Sequence, residues 1–262
     1  TFNYNDIQSV YDSIDDEVAA IILEPVTFDK PKDEFLHKLR EICTEKNILL
    51  IFDEMWTGFR IAVGGSQEFF GIKADLALFS KACANGMPIS IITGRADVMK
   101  LLEKDVFFYS TFGGEALSLA ATKATINEII DLDIINYIDY IGAKIKSGYN
   151  QITNDFGMNY TYAKGYNFRS MVVFDANSHS LILKSILQQE LLRYGILWSG
   201  FHNISFAHTA KQIEYTLDAY SACLKIVDEA YRSGSPEKYL KGKAIEPVFR
   251  KTSNFNTKPK SK

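Results

Sequence analysis

Three residues able to do chemistry, Glu24, Asp53 and Lys81, each stand at or just beyond the end of a short apolar run. The runs cover residues 19–23, 48–52 and 76–79. In open α/β sheets ligands bind beyond the carboxyl ends of the strands, so one site gathers all three without special geometry. The plainest chemistry for carboxylates beside a lysine is a salt bridge. Two more specific chemistries compete for Asp53 and Glu54. One is the acidic strand end of a nucleotide-hydrolysing domain, where the Asp holds magnesium. It requires GxxxxGK[ST], and these 262 residues contain no such segment. The other is a site for an aldehyde cofactor, which needs a lysine for the aldehyde, a carboxylate against a ring nitrogen and donors around a phosphate. There the carboxylate keeps the ring nitrogen protonated, so that the ring accepts the electrons left when a substrate Cα loses its proton. The lysine, once freed, carries that proton.

The elements that must position these groups follow from apolar spacing and breakers. The run over 19–23 has strand length, and Glu24-Pro25 ends it, because proline donates no ladder hydrogen bond and restrains the residue before it. From Lys32 to Lys46, apolar residues recur as Phe35, Leu36, Leu39, Ile42 and Cys43, one helical face, and Asn47 ends the helix. Strand, helix, strand, with both strands apolar throughout, predicts a parallel sheet covered on both faces. After Gly58, Gly64, Gly65 and Gly71 come a strand over 76–79, a small-residue turn over 82–86 and a strand over 89–93. Helices are predicted over 114–130 and 134–153. Beyond 154 a strand over 170–174, a helix over 181–194, the segment Gly195-Ile196-Leu197-Trp198 and a long amphipathic helix over 209–231 read as βαβα. The expected organisation is a large α/β domain with its connecting helix over 1–153, a small α+β domain over 154–240 and a flexible basic tail over 241–262.

Four ordered motifs carry a resemblance. The segment Leu50-Ile51-Phe52-Asp53-Glu54-Met55-Trp56-Thr57-Gly58-Phe59-Arg60 closely resembles the LL(I/F)DEVxTGFR stretch of class III pyridoxal-phosphate aminotransferases. Its TGFR ending is most similar to the glutamate-1-semialdehyde aminomutases within that class. Ser80-Lys81-Ala82-Cys83-Ala84-Asn85-Gly86-Met87-Pro88 resembles the K-(x)4-G-x-P element around the Schiff-base lysine, and its distance in sequence from Asp53 fits as well. Thr111-Phe112-Gly113-Gly114-Glu115 resembles T-F-x-G-N/E, and Ser205 to Thr209 is similar to the SxxHT ending. Any one of these alone is a weak signal; together they span nearly the whole chain.

The resemblance implies a fold type I transferase, a mostly parallel sheet sandwiched by helices with a smaller C-terminal α+β domain. The cofactor it implies is pyridoxal 5′-phosphate. Lys81 is then the Schiff-base lysine and proton carrier, and Asp53 bonds the pyridine nitrogen. Thr111 holds the phosphate across the interface of a homodimer with shared active sites. Glu24 orients groups at the site, and Trp56 replaces the glutamine that bonds the ring hydroxyl in many members. Arg60 and, more weakly, Arg169 are candidates to meet a substrate carboxylate. Thr27-Phe28-Asp29-Lys30 replaces the family's glycine-rich stretch after Glu-Pro, and Glu115 stands where Asn-Pro is common. The chain opens at Thr1 without a methionine and enters Phe2-Asn3-Tyr4 as though mid-protein, which predicts a fragment. The phosphate-cradling loop and ring-stacking aromatic of the family precede the strand at Ala19 and are not found here. The 262 residues alone are therefore expected to bind the cofactor poorly and turn over little.

The implied activity moves an amino group from a donor amino acid to an aldehyde or ketone acceptor, both small molecules. An aminomutase performing an intramolecular 1,2 shift uses the same residues. The competitors are a nucleotide-hydrolysing domain built on Asp53-Glu54 and a non-catalytic remnant that keeps a dimer surface. Bulk properties narrow the field. A net charge of −3 with no basic stripe gives no reason to expect nucleic acid. Cys43, Cys83 and Cys223 and the four scattered histidines form no metal spacing, so a reduced cytoplasmic protein without a metal is expected. No apolar run reaches the roughly 20 residues a membrane span needs.

Overall fold

The chain folds around two separate sheets. The computed structural model describes residues 1–246; residues 247–262, most of the expected tail, lie outside the described residues. Two compact units divide within a long helix, one running from Thr1 to Ile138 and the other beginning at Asp139.

In the first unit a short helix, α1 (Ile7–Tyr11), precedes β1 (Ala20–Leu23), α2 (Phe35–Glu45) and β2 (Leu49–Asp53). Helix α3 (Gly65–Phe70) leads to β3 (Leu76–Phe79), a 3-10 turn over Lys81–Ala84, β4 (Ile91–Gly94), α4 (Ala96–Met99) and α5 (Ala116–Asp131). The sheet order is β1-β2-β3-β4, the first three parallel. Strand β4 runs antiparallel to β3, with Phe79 opposite Ile91 and Leu76 opposite Gly94. The connection between them, Ser80 to Ser90, is too short for the crossover a parallel neighbour requires, and Ser80 Oγ pins it by donating to the Ile89 carbonyl at 2.6 Å.

Helix α2 buries the face formed by Phe35, Leu36, Leu39, Ile42 and Cys43, as its spacing predicts, against Ile21, Leu50 and Phe52. Each such side chain contributes about 1.5–3 kcal/mol relative to exposure. The period of two sends the intervening residues to the opposite face. There Ile22 is 56% exposed and Ile51 and Leu78 are half-buried. At the amino end of the strands, Asp75 is buried and ties three elements. Its Oδ2 accepts from Leu50 N (2.8 Å) and Arg40 Nη1 (2.7 Å), and its Oδ1 from Arg95 Nη1 (2.9 Å). Burial alone would raise this carboxyl; the Leu50 N–H and the two guanidinium groups outweigh it and hold the group below the usual carboxylate range.

Helix α6 (Ile134–Asp155) leads into the second unit, where β5 (Thr161–Tyr166), β6 (Arg169–Phe174), α7 (Ser180–Arg193), β7 (Phe201–Asn203) and α8 (Ala210–Arg232) follow. The three strands form an antiparallel sheet, β5-β6-β7. The order is therefore ββαβα and not the βαβα read from the sequence. Strand β5 escaped notice because Lys164-Gly165 interrupts its pattern, although Thr161 and Ala163 alternate into the core. Gly195 to Trp198 is not a strand. Gly195, at φ +70°, terminates α7, and the third strand forms a few residues later. The Ser205-to-Thr209 ending is a helix start. His208 Nδ1 accepts from Ser205 N at 3.1 Å, and Thr209 and Gln212 form a reciprocal capping box on α8.

A polar chain crosses this second core. His202 pairs with Ser170 across β6 and β7, its Nδ1 2.8 Å from Ser170 Oγ and its Nε2 2.8 Å from Tyr220 OH. Burial lowers the His202 pKa to about 4, against an ordinary value of 6.5. The unfolded chain therefore takes up a proton that the folded chain refuses. The contribution is fully present above 6.5 and is lost as pH falls towards 4, a loss of about 3 kcal/mol. Urea midpoints measured between pH 7 and pH 4 are expected to fall accordingly, and His202→Gln to flatten that window. An unchanged slope in the variant would assign the acid sensitivity to other groups.

Candidate active site

The carboxyl ends of β2 and β3 bring Asp53 and Lys81 to one edge of the sheet. Asp53 is the last residue of β2 and stands opposite Leu78 of β3. It is half-exposed, its Oδ1 accepts from Met55 N at 3.0 Å, and its Oδ2 makes no hydrogen bond among the described residues. Glu54 turns the other way. It is 1% exposed and receives Thr57 Oγ1, Ser66 N (2.9 Å) and Gln67 N (3.1 Å), which ties the strand end to the first turn of α3. Of the adjacent acids, Asp53 is the one open to a ligand. Sequence reasoning paired them; strand parity separates them.

Lys81 opens the 3-10 turn after β3 with φ +49°, a left-handed conformation unfavourable for a residue with a Cβ. Gly86, at φ +111°, closes the same turn region where other residues are strained, which is why a glycine is needed ahead of Pro88. The Lys81 side chain is exposed and its Nζ lies 5.0 Å from the centroid of the Trp56 ring. It makes no ion pair among the described residues, so the salt bridge that the sequence allowed is not formed. Two residues on, Cys83 is fully buried and burial raises its thiol, so it does not compete as a nucleophile.

Arg60 joins this cluster. Its guanidinium carbon is 5.2 Å from the Trp56 centroid and its Nη1 donates to the Trp56 carbonyl at 3.0 Å. Glu24 follows β1 directly and is exposed. Thr111 is exposed, outside any helix or strand, and its hydroxyl has no hydrogen bond among the described residues. It stands between Tyr109 (74% exposed) and Phe112 (77%), ahead of α5, which packs on the Lys81 turn. Glu115 caps α5 by accepting from Leu117 N and Ser118 N, each at 2.7 Å, a local reason for an acid there. Arg169 belongs to the second unit, as the first residue of β6, opposite Tyr166 and Asn203.

An amine that meets no acid among the described residues, in the turn after β3, and a carboxylate with a spare oxygen at the end of β2 are the donor set an aldehyde cofactor with a ring nitrogen requires. The nucleotide alternative fares worse, since Glu54 is consumed as an internal cap. Among the described residues no group of three His, Cys, Asp or Glu is placed to hold a metal ion, and no helix is long and apolar enough to cross a membrane.

Known proteins resemble the chain along most of its length. Residues 2–211 match the family model described as aminotransferase class-III. The chain is 34% identical over 239 residues to a glutamate-1-semialdehyde 2,1-aminomutase of Alkaliphilus oremlandii, an alignment covering 84% of this chain and 56% of that protein. It is 30% identical over 232 residues to a 3-aminobutyryl-CoA aminotransferase of Cloacimonas acidaminovorans, covering 83% and 56%. Among solved structures, a Sphingopyxis sp. MTA144 protein in its PLP internal aldimine form superposes with a TM-score of 0.81 at 25% identity, over 88% of this chain and 58% of that one. The chain thus spans somewhat over half the length of the curated relatives it matches.

Proposed function

This chain belongs to the class III aminotransferases, and we propose that it carries the lysine end of an amino-group-transfer site. The observation that carries this is the pairing of an acid-free Lys81 amine with the open Asp53 carboxylate at adjacent strand ends. Pyridoxal 5′-phosphate, when bound, supplies an aldehyde that an amine can condense with and a ring that accepts electrons from a substrate Cα. Lys81 would hold the cofactor through its Nζ amine, and the same amine would be the group placed to move a proton at a substrate Cα. Asp53, with Oδ2 uncommitted, would hold the ring nitrogen of the cofactor. Glu24 and Trp56 line the site, and Arg60 is its candidate for a substrate acid group.

Thr111 is proposed to donate to the phosphate held by a second copy in a homodimer. The exposure of Phe107 (94%), Phe108 (64%) and Phe112 (77%) around it supports an interface at that segment. The substrates are a small amino donor and a carbonyl acceptor, and the compartment is the cytoplasm. A second reading, an intramolecular amino shift, is favoured by the Alkaliphilus relative, which bears an aminomutase name. Borohydride reduction after incubation with the cofactor, followed by peptide mapping, is expected to place a pyridoxyl group on Lys81. An adduct confined to other lysines would remove the proposal.

A further inference from the structure

Trp56 is where two cations converge. The Lys81 ammonium and the Arg60 guanidinium both lie about 5 Å from its ring centroid, and Arg60 is held a second time by the Trp56 carbonyl. Lys81 needs such a hold. Its φ of +49° fixes the direction in which the side chain leaves the backbone. Its flexible four-carbon stem still spreads the amine over many positions, and no acid among the described residues narrows them. Among the described residues that amine's contact is the half-buried indole of Trp56. We infer that Trp56 is a positioning residue, seating the Lys81 amine at the end of β3 and holding the Arg60 guanidinium beside it. The inference rests on Lys81 being the cofactor-binding lysine. Trp56 acts through Lys81 and Arg60 and takes no part in bond changes.

The chain has two tryptophans, so Trp198→Phe leaves Trp56 as the only indole emitter. Nearby cations quench indole emission. In that background, Lys81→Met and Arg60→Met are each expected to brighten Trp56, whereas Lys104→Met, on an exposed segment, leaves it unchanged. Identical emission with and without the Lys81 amine overturns the inference. In the full 262-residue chain, the rate of borohydride-trapped pyridoxyl labelling at Lys81 is expected to fall about two- to fivefold in Trp56→Leu, the range a cation–π contact at an exposed site supplies. Trp56→Phe, which keeps a ring, restores most of that rate and guards against a folding defect. Equal labelling in Trp56→Leu and the parent overturns the positioning role. If the parent is never labelled at Lys81 while its emission still answers to Lys81→Met, the cofactor assignment fails and the seating of the amine stands.

Discussion

With Lys81 in the proposed role, Lys81→Ala is expected to abolish covalent capture of the cofactor and to lower whatever amino transfer the parent shows by on the order of 10⁴-fold or more, because the proposed attachment point and proton carrier are lost together. The loss is chemical and not structural. Lys81 is exposed and forms no ion pair among the described residues, so its truncation loses little beyond the contact with the Trp56 ring and is expected to change folding stability by no more than about 1 kcal/mol. Lys81→Arg keeps the charge over Trp56 but has no amine able to condense with an aldehyde, and is expected to be equally inactive. The measurements are cofactor absorbance, pyridoxyl mapping and turnover with an amino donor, run beside a urea melt. A Lys81→Ala variant that still captures the cofactor, or that keeps the turnover of a parent with measurable activity, would end the proposal. Insensitivity to this substitution is what a nucleotide-hydrolysing domain predicts, so the same variant separates the two classes.

How much of this was legible depended on the range of the interactions. The Ile48-to-Phe52 and Leu76-to-Phe79 runs announced parallel strands because burial on one face and packing on the other both select apolar residues there. Helix α2 was legible because its five core contacts recur at helical spacing. Strand β5 was not, since its burial alternates through Thr161 and Ala163, residues that carry little hydrophobic signal. Helix α3 was hidden behind Gly64-Gly65, for its cap comes from Glu54, eleven residues away from Gly65 in sequence and adjacent only in space. Lys81 and Asp53 were found through motif order. The contact between Trp56 and Lys81 joins two strand ends, and no local spacing encodes it. Thr111 was legible only by resemblance, because nothing among the described residues fixes its hydroxyl.

The adjacent carboxylates supply the sharpest structural test. Glu54→Ala is expected to destabilise the first unit by about 3–5 kcal/mol, because it leaves the Ser66 and Gln67 N–H groups and the Thr57 hydroxyl buried without their acceptor. It also removes a negative charge from the amino end of α3, where the unpaired N–H groups favour one. Gly65 shows how closely the carboxylate is fitted. At φ +73° it accepts no side chain without strain, and a Cβ there would lie 2.6 Å from Glu54 Oε2. Glu54→Gln keeps the shape but turns an N–H₂ towards backbone donors, so it recovers only part of the loss. Asp53→Ala, by contrast, frees one exposed-side hydrogen bond to Met55 N and is expected to cost about 1 kcal/mol or less, while removing the acceptor proposed for the ring nitrogen. Urea midpoints at constant slope read the first effect, and cofactor absorbance reads the second. If Glu54→Ala melts like the parent while Asp53→Ala unfolds, the assignment of one acid to the scaffold and the other to chemistry is reversed. If the assignment holds, the turn from Asp53 to Arg60 owes its shape to Glu54, and Trp56 is presented to Lys81 only while that buried cap is intact.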